Sequence, residues 1–306
     1  MIEVSHLSKR YGQVDAIKDL NFSVQKGEIV GFLGPNGAGK TTTMKIITGF
    51  MAPTAGAVKV GGLDVFENPI EVKRRIGYLP ETPPVYLDML VEDYLTYVAK
   101  LKGVESGKVA ARVATSMEKT NIGQVRRRLI GNLSKGFRQR VGIAQALVHN
   151  PYVLILDEPT VGLDPKQMIE IRNLIKDLAG NHTVILSTHI LPEVQATCKR
   201  VIIINKGQIA AEDSLEKLSR RMGETRRFFV RVRRGGDLEK GLSQLEVIKS
   251  LKKSGDGVDG FEIETDKSDD SNEKLSDAIV KSGAGLMELR VMDATLEDVF
   301  LKLTMS

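Results

Sequence analysis

Short apolar runs recur along the first 215 residues of the chain, and stretches with apolar positions at helical spacing separate several of them. The runs predict strands at 2–4, 16–24, 28–33, 58–60, 76–80, 151–157, 183–189 and 201–204. Helical spacing predicts helices at 42–50, 69–76, 91–101 and 165–178. Strands that alternate with helices are typical of an α/β fold with a parallel sheet.

The pattern changes at Pro83-Pro84, after which helical spacing replaces the short strands. Residues 83–150 are therefore predicted to form a helical subdomain, inserted into a core made of 1–82 and 151–215. Beyond about residue 215, nearly alternating runs at 228–232, 260–264 and 286–291 and helices around 273–281 and 295–303 predict a small α+β domain, assigned to 222–306. Polar turns or flexible loops are predicted at 254–260 and 266–271.

A glycine-rich segment lies between the strand predicted at 28–33 and the helix that follows it. Its residues match the phosphate-binding pattern G-x-x-x-x-G-K-[ST] and are Gly34, Pro35, Asn36, Gly37, Ala38, Gly39, Lys40 and Thr41, with Thr42 opening the helix. Backbone N–H groups and a helix N-terminus that point to one place bind anions. Lys40 would reach the outer phosphates and Thr41 would ligate Mg²⁺. A glycine-rich turn that matches by chance is the alternative, but the flanking strand and helix favour a nucleoside triphosphate site.

Composition narrows the functional classes further. Hydrophobic residues make up 42% and charged residues 27% of the 306 residues, as in ordinary globular proteins. The formal net charge is +5, but no basic stripe with interleaved aromatics is visible and aromatics are 5%, so no nucleic acid is expected as a partner. No apolar run approaches the ~20 residues that cross a bilayer, and the N-terminus lacks a secretory pattern. The expected location is cytoplasmic.

Polar residues follow two of the buried strands. Asp157 and Glu158 end one apolar run, where Asp157 can hold Mg²⁺ and Glu158 can accept a proton from an attacking water. Alternatively, the two acids could cap the helix after Gly162. His189 ends another run and is predicted to face the γ-phosphate, although a lone histidine is more often structural. Tyr11 can stack on an adenine ring, or it can be a core or surface tyrosine.

The segment Leu-Ser-Lys-Gly-Phe-Arg-Gln-Arg at 133–140 resembles the signature sequence of the ATP-binding cassette (ABC) ATPases. Tyr11, the 34–41 loop, Asp157-Glu158, Gly162-Leu163-Asp164 and His189 resemble the other motifs of that family. The resemblance covers residues 1 to about 215. It implies a P-loop NTPase core with an antiparallel β subdomain and a helical insertion, ATP and Mg²⁺ as cofactors, and catalytic roles for Lys40, Glu158 and His189.

The same resemblance implies that two ATPase subunits pair head to tail, as a homodimer or with a related subunit. Ser134 and Gly136 of one chain would then complete the ATP site of the other, and Asp164 would lie in the loop that contacts the opposite subunit. A helix N-terminus after Ser134 is consistent with a second anion site that its own loop cannot use.

Some positions depart from the commonest family pattern. Lys135 and Phe137 replace the usual Gly and Gln of the signature, and Glu81 stands where most members have a Gln that touches Mg²⁺. Glu81 is assigned to the metal site together with Thr41 and Asp157; the alternative is an ion pair with Arg74 or Arg75. The combination is similar to a subgroup of exporter ATPases that includes gliding-motility and multidrug export types, and the closing segment at 293–300 resembles their accessory domain.

Three functional classes follow from these observations. The favoured one is the ATPase subunit of an exporter, peripheral on the inner face of the cell membrane, whose integral membrane permease is a separate chain. Its expected docking surface lies where the 69–82 segment meets the helical insertion, near the apolar residues Tyr86, Leu87, Met89 and Leu90 that follow Pro83-Pro84, unless those side chains only hold the insertion to the sheet. The other classes are a soluble ABC-type ATPase that acts on ribosomes or nucleic acid, and a regulatory nucleotide-binding module with little turnover.

Overall fold

The computed structural model of the chain describes residues 1–221, 225–233, 238, 242, 248–253, 260–266, 271–292 and 296–304. The chain divides into two units, Met1–Ser214 and Leu215–Met305. The loops predicted at 254–260 and 266–271 lie outside the described residues except at their ends, and so do residues 293–295 of the closing segment.

Two sheets form the framework of the first unit. The antiparallel sheet has four strands in the order β2-β1-β4-β5: β1 (Ile2–Tyr11), β2 (Val14–Val24), β4 (Ala55–Val60) and β5 (Leu63–Asp64). The second sheet has six strands in the order β10-β9-β3-β8-β7-β6: β3 (Ile29–Leu33), β6 (Ile76–Leu79), β7 (Val153–Asp157), β8 (Thr183–Thr188), β9 (Arg200–Asn205) and β10 (Gln208–Ser214). All neighbours in the second sheet are parallel except β10, which pairs antiparallel with β9.

Seven helices complete the first unit. They are α1 (Lys40–Ile47), α2 (Pro69–Arg75), α3 (Val91–Leu101), α4 (Val109–Lys119), α5 (Lys135–Leu147), α6 (Pro165–Asp177) and α7 (Leu191–Thr197), with short 3₁₀ turns at Ser106–Lys108, Gly123–Val125 and Ile130–Asn132. Side chains from both sheets and from α1 share one core, in which Met44, Ile46 and Ile47 are fully buried. Helices α3, α4 and α5 enclose a second core, around residues such as Leu95, Val113 and Val141, which gives the predicted helical insertion its own interior.

Helix α1 is shorter than the predicted 42–50. Gly49 adopts a left-handed conformation with φ +67°, and the backbone N–H groups of Phe50 and Met51 both donate to the carbonyl of Lys45, at 2.9 and 3.2 Å. These bonds end the helix, so the prediction that Phe50 shares the apolar face of Met44 and Ile47 is wrong: Phe50 is 74% exposed.

The second unit is an α+β arrangement, as its sequence pattern predicts. Its antiparallel sheet has the order β12-β13-β11-β14, with β11 (Thr225–Val232), β12 (Ile248–Lys253), β13 (Gly260–Asp266) and β14 (Leu286–Met292). Its helices are α8 (Leu215–Arg221), α9 (Ser271–Lys281) and α10 (Leu296–Thr304). Phe228, Phe261 and Ile279 belong to its buried core. Strand β12 was not predicted, because its three lysines interrupt the apolar alternation; lysines on an edge strand oppose further strand pairing.

Candidate functional site

Four neighbouring strands of the six-stranded sheet end at one edge, and many of the predicted site residues lie just at or after these strand ends. Leu33, the last residue of β3, pairs with Thr188 at the end of β8, and Asp157 of β7 pairs with Ser187 of β8. The phosphate loop follows β3, His189 follows β8, Asp157-Glu158 close β7, and Glu81 lies two residues beyond β6. Ligands of parallel α/β sheets bind at this carboxyl edge.

The phosphate loop joins β3 to α1 in a tight backbone path. Gly39 precedes the helix with φ +107°, and a side chain there would begin 2.7 Å from the carbonyl oxygen of Ala16. At Gly34 a Cβ would collide with the carbonyl oxygen of Ile204. Glycine is therefore required at both positions because a side chain would collide with the neighbouring backbone. At Gly39 the positive φ requires it as well.

Lys40 is buried, with 6% of its surface exposed. Its Nζ donates to the carbonyl oxygens of Gly34 at 2.9 Å and Pro35 at 3.2 Å, and it lies 3.5 Å from Glu158 Oε1. The ammonium group thus has oxygen partners on the loop and a carboxylate across the cavity. A phosphate group that reaches Lys40 would compete with these oxygens for the same three N–H donors.

Glu158 adopts a left-handed backbone conformation with φ +50° immediately after β7, and its N–H donates to the Ser187 carbonyl at 2.8 Å. This conformation costs about 1 kcal/mol or more in a non-glycine residue, and such residues cluster at functional sites. The side chain is 5% exposed and lies between Lys40 and His189. Neither Asp157 nor Glu158 caps the helix after Gly162; Asp164 does, since its side chain accepts from the Gln167 N–H at 2.9 Å.

His189 Nδ1 lies 2.9 and 3.0 Å from the two carboxylate oxygens of Glu158. Because a carboxylate only accepts, Nδ1 carries the proton. Nε2 of the neutral ring is then an acceptor, and it donates only when the ring is doubly protonated. The histidine therefore pairs with Glu158 and also lines the cavity next to the phosphate loop.

Asp157 is fully buried behind Glu158. Ser187 Oγ donates to its Oδ1 at 2.7 Å, whereas Oδ2 has no hydrogen-bond partner among the described residues. Burial raises the pKa of Asp157, and the Glu81 carboxylate raises it further; Ser187, Thr41 and the Lys40 charge act in the opposite direction. A buried carboxylate oxygen without a donor is the type of ligand that a divalent cation takes.

Nine of the predicted residues line one cavity of about 520 Å³. They are Asn36, Gly37, Gly39, Lys40, Thr41, Thr42, Glu81, Glu158 and His189, and two residues that were not predicted, Ala16 and Val161, complete the wall. Gly34, Pro35 and Ala38 belong to the loop without lining the cavity. Among the described residues no ion pair joins Glu81 to Arg74 or Arg75; the guanidinium of Arg75 instead donates to the Gly61 carbonyl at 3.0 Å.

Four predicted residues lie away from this cavity. Tyr11 is 46% exposed, its hydroxyl donates to Met51 Sδ at 2.8 Å, and Lys9 Nζ lies 5.4 Å from its ring centroid, so its contact with adenine stays a prediction. Ser134 and Gly136 line a separate cavity of about 230 Å³, where Ser134 Oγ accepts from the Phe137 N–H at 3.3 Å. Asp164, the cap of α6, is exposed.

Two features are absent from the described residues. No group of three or more His, Cys, Asp or Glu side chains has an arrangement that could hold a metal ion by itself. No helix in the described part of the chain is long and apolar enough to cross a membrane.

Comparisons with known proteins identify the family. The family model described as "ABC transporter" matches residues 17–161. The uncharacterized ABC transporter ATP-binding protein YxlF of Bacillus subtilis is 33% identical over 302 residues, which cover 99% of each chain. The bacitracin transport ATP-binding protein BcrA of Bacillus licheniformis is 34% identical over 308 residues, 99% of this chain and 97% of the relative.

Solved structures agree with the sequence relatives. The dimeric structure of MJ0796, a bacterial ABC transporter cassette, has a TM-score of 0.64 and 26% identity, and covers 70% of this chain and 99% of the cassette. A dimeric post-hydrolysis state of the same cassette, bound to ADP and Pi, has a TM-score of 0.64 and 25% identity over the same shares. With relatives matched along nearly their whole length and a phosphate loop opposite paired acids, this chain belongs to the ATP-binding proteins of ABC transporters and is an ATPase.

Proposed function

We propose that this chain is the ATPase subunit of an exporter, that it pairs with a second ATPase subunit around shared ATP, and that it drives an integral membrane permease formed by a separate chain. The observation that carries the paired arrangement is the separation of Ser134 and Gly136 from the cavity that contains Lys40. A phosphate-binding helix N-terminus that cannot serve its own loop is useful when it faces the loop of another subunit.

In this proposal Lys40 binds the outer phosphates of ATP and gives up its present oxygen partners. Glu158 accepts the proton of the attacking water, since its carboxylate lies at the cavity wall and only accepts hydrogen bonds. His189, which contacts both oxygens of Glu158 through Nδ1, orients that carboxylate, and its Nε2 would donate to a phosphate oxygen when the ring is doubly protonated. Tyr11 stacks on adenine.

Mg²⁺ is proposed to bind at the Thr41 hydroxyl, Asp157 and Glu81. The buried Asp157 Oδ2, which has no donor in the described chain, supports this choice. Burial also raises the pKa of Asp157, so a positive charge beside the carboxyl would favour its ionised form. When bound, the metal ion would offset the negative charge of the β- and γ-phosphates. Glu81 lines the cavity but is exposed, so its carboxylate can approach the cation or stay in water.

A surface after Pro83-Pro84 is proposed as the permease contact, on the cytoplasmic side of the membrane. Tyr86 and Leu87 are each 52% exposed. The Tyr86 ring packs edge-on against Tyr94 and tilted against Tyr97, with ring centroids 6.0 Å apart in both pairs. Exposed aromatic side chains such as those of Tyr86 and Tyr97 are typical of protein contact sites. The name of BcrA, a bacitracin transport protein, supports a role in transport without giving the direction or the substrate for this chain.

The test of the paired-site proposal is Glu158→Gln. The amide keeps the size of the side chain but cannot take the proton, so turnover should fall by about 10²–10⁴-fold while ATP affinity is retained. With Mg²⁺ and ATP the variant should elute as a dimer in size-exclusion chromatography, and as a monomer without nucleotide.

Two further variants complete the design. Ser134→Arg should prevent the dimer while sparing ATP binding to the monomer. Glu105→Gln, an exposed acid paired with Lys108 far from the site, serves as the matched control and should behave like the unmodified chain. Elution that is the same with and without nucleotide in Glu158→Gln would contradict the shared-site mechanism.

The permease proposal is tested by copurification. Detergent extracts should yield a membrane protein that copurifies with the chain; ribosomes or nucleic acid in its place would refute the transporter assignment.

A further inference from the structure

A buried acid that does not line the cavity beside the phosphate loop contacts the two chain segments that carry Glu158 and His189. Glu193 lies in α7 with 1% of its surface exposed. Its Oε1 accepts from Thr160 Oγ1, and its Oε2 accepts from Thr188 Oγ1 at 2.8 Å. Thr160 and Thr188 are themselves buried, at 2% and 0% exposure, so water does not compete for these bonds.

The Thr160 and Thr188 hydroxyls lie close in sequence to Glu158 and His189. Thr160 lies two residues after Glu158, in the turn that leaves β7, and Thr188 is the residue directly before His189. The Thr188 hydroxyl also accepts from the Ile190 N–H at 3.1 Å, so it is bonded on both sides. One carboxylate therefore holds both chain segments whose side chains meet at the Glu158–His189 contact.

In the described part of the chain, one cationic side chain lies near the Glu193 carboxylate. Arg172 of α6 places Nη2 3.8 Å from Oε1, while its Nε has no hydrogen-bond partner among the described residues. An ionised carboxylate offers only acceptors, which suits two donating hydroxyls. An amide keeps one acceptor oxygen and presents an NH₂ donor in place of the other, so with Gln at 193 one of the two hydroxyls has to turn and accept instead of donate.

We propose that Glu193 is a positioning residue for ATP hydrolysis. Through Thr160 and Thr188 it fixes the backbone on both sides of the Glu158–His189 pair and so sets where the Glu158 carboxylate stands relative to the attacking water. The inference rests on the proposed role of Glu158. Glu193 touches neither the cavity nor Lys40, so its loss changes the geometry of the chemical step while leaving phosphate binding intact.

The experiment uses the full chain and measures kcat and KM for Mg²⁺-ATP, the affinity for a fluorescent ATP analogue, and Tm. Glu193→Gln should lower kcat by about tenfold or more, in the range that a small misplacement of a catalytic group produces, with KM and analogue affinity within about twofold. Glu212→Gln is the matched control: it alters an ion pair with Arg200 elsewhere in the same unit and should leave kcat unchanged.

A second pair of variants guards against loss of folding in Glu193→Gln. Thr188→Ser keeps the hydroxyl and should retain kcat, whereas Thr188→Val keeps the volume, removes the hydroxyl and should reproduce the fall in kcat. Wild-type kcat in both Glu193→Gln and Thr188→Val, together with an inactive Glu158→Gln, would overturn the positioning role alone. So would a parallel loss of kcat, analogue affinity and Tm. Full turnover in Glu158→Gln would overturn the proposed function and this inference together.

Discussion

Acidification should destabilise the first unit through His149, which follows helix α5. Its Nε2 lies 3.1 Å from the Ile76 carbonyl oxygen at the start of β6, and Lys102 Nζ shares that oxygen at 3.3 Å. Because the carbonyl only accepts, Nε2 carries the proton, and the buried Nδ1 has no partner among the described residues. Burial, and next the nearby Lys102 charge, lowers the pKa of His149 to about 4 from an ordinary value of 6.5.

The sign and size of the effect follow from this difference. Between pH 6.5 and about 4 the unfolded chain binds a proton at His149 that the folded chain does not, so stability is lost as the pH falls through this window. Each unit of pKa difference corresponds to about 1.4 kcal/mol, which gives a total of about 3 kcal/mol. About 2 kcal/mol of that should already be lost at pH 5.

The assay is urea unfolding of the full chain, followed by circular dichroism at pH 7 and pH 5. In His149→Gln, whose amide can still donate to the Ile76 carbonyl but does not titrate, the loss of stability between the two pH values should be smaller by about 2 kcal/mol. His6→Gln is the control, because the His6 side chain is 79% exposed. Burial also lowers the pKa of His182, but this effect is common to all three proteins and cancels in the comparison. An equal loss of stability in the unmodified chain and His149→Gln would refute the reasoning.

Two further predictions concern the phosphate cavity. Lys40→Ala should weaken binding of a fluorescent ATP analogue by about 100-fold, since it removes a charged donor and leaves the Glu158 carboxylate at the cavity wall without its ion-pair partner. Lys45→Ala in the same helix is the control, and unchanged affinity in Lys40→Ala would show that the loop does not bind phosphate. Glu81→Gln should retain turnover but need more free Mg²⁺ for half-maximal ATPase rate, because an amide oxygen is a weaker cation ligand than a carboxylate; superimposable Mg²⁺ titrations would mean that Glu81 does not ligate the metal.

Much of the fold could be predicted because its signals are local. The apolar run before Asp157 and the loop 34–41 follow the rules for buried strands and phosphate loops, and the helical spacing at 91–101 corresponds to α3 residue for residue. The elements that sequence reasoning missed lack such signals. Strand β10 runs Gln-Ile-Ala-Ala-Glu-Asp-Ser, and it is held in the sheet by pairing with β9 rather than by its own hydrophobic pattern.

Site residues could be predicted by position, but their contacts could not. The rule that parallel strands end at one edge brings Lys40, Glu158 and His189 together. The contact between His189 and Glu158 depends on tertiary structure, because the two residues follow different strands. Glu193 was missed because an acid in a short helix reads as a surface residue; its apolar neighbours Leu191 and Val194 were the one available sign of burial.

The buried charged groups at the carboxyl edge of the six-stranded sheet differ in whether they have hydrogen-bond or ion-pair partners. Lys40 and Glu158 offset each other at 3.5 Å, and Asp157 Oδ1 is bonded to Ser187, so most of the buried charge is stabilised within the chain. Asp157 Oδ2 is left without a donor, at a cost of about 1–3 kcal/mol for an unsatisfied buried acceptor. Burial also raises the pKa of the Asp157 carboxyl, so a positive charge placed beside it would offset part of the cost of burying its ionised form. A cation bound at Asp157, as proposed above, would offset this cost, and its binding would then stabilise the strand end that carries Asp157.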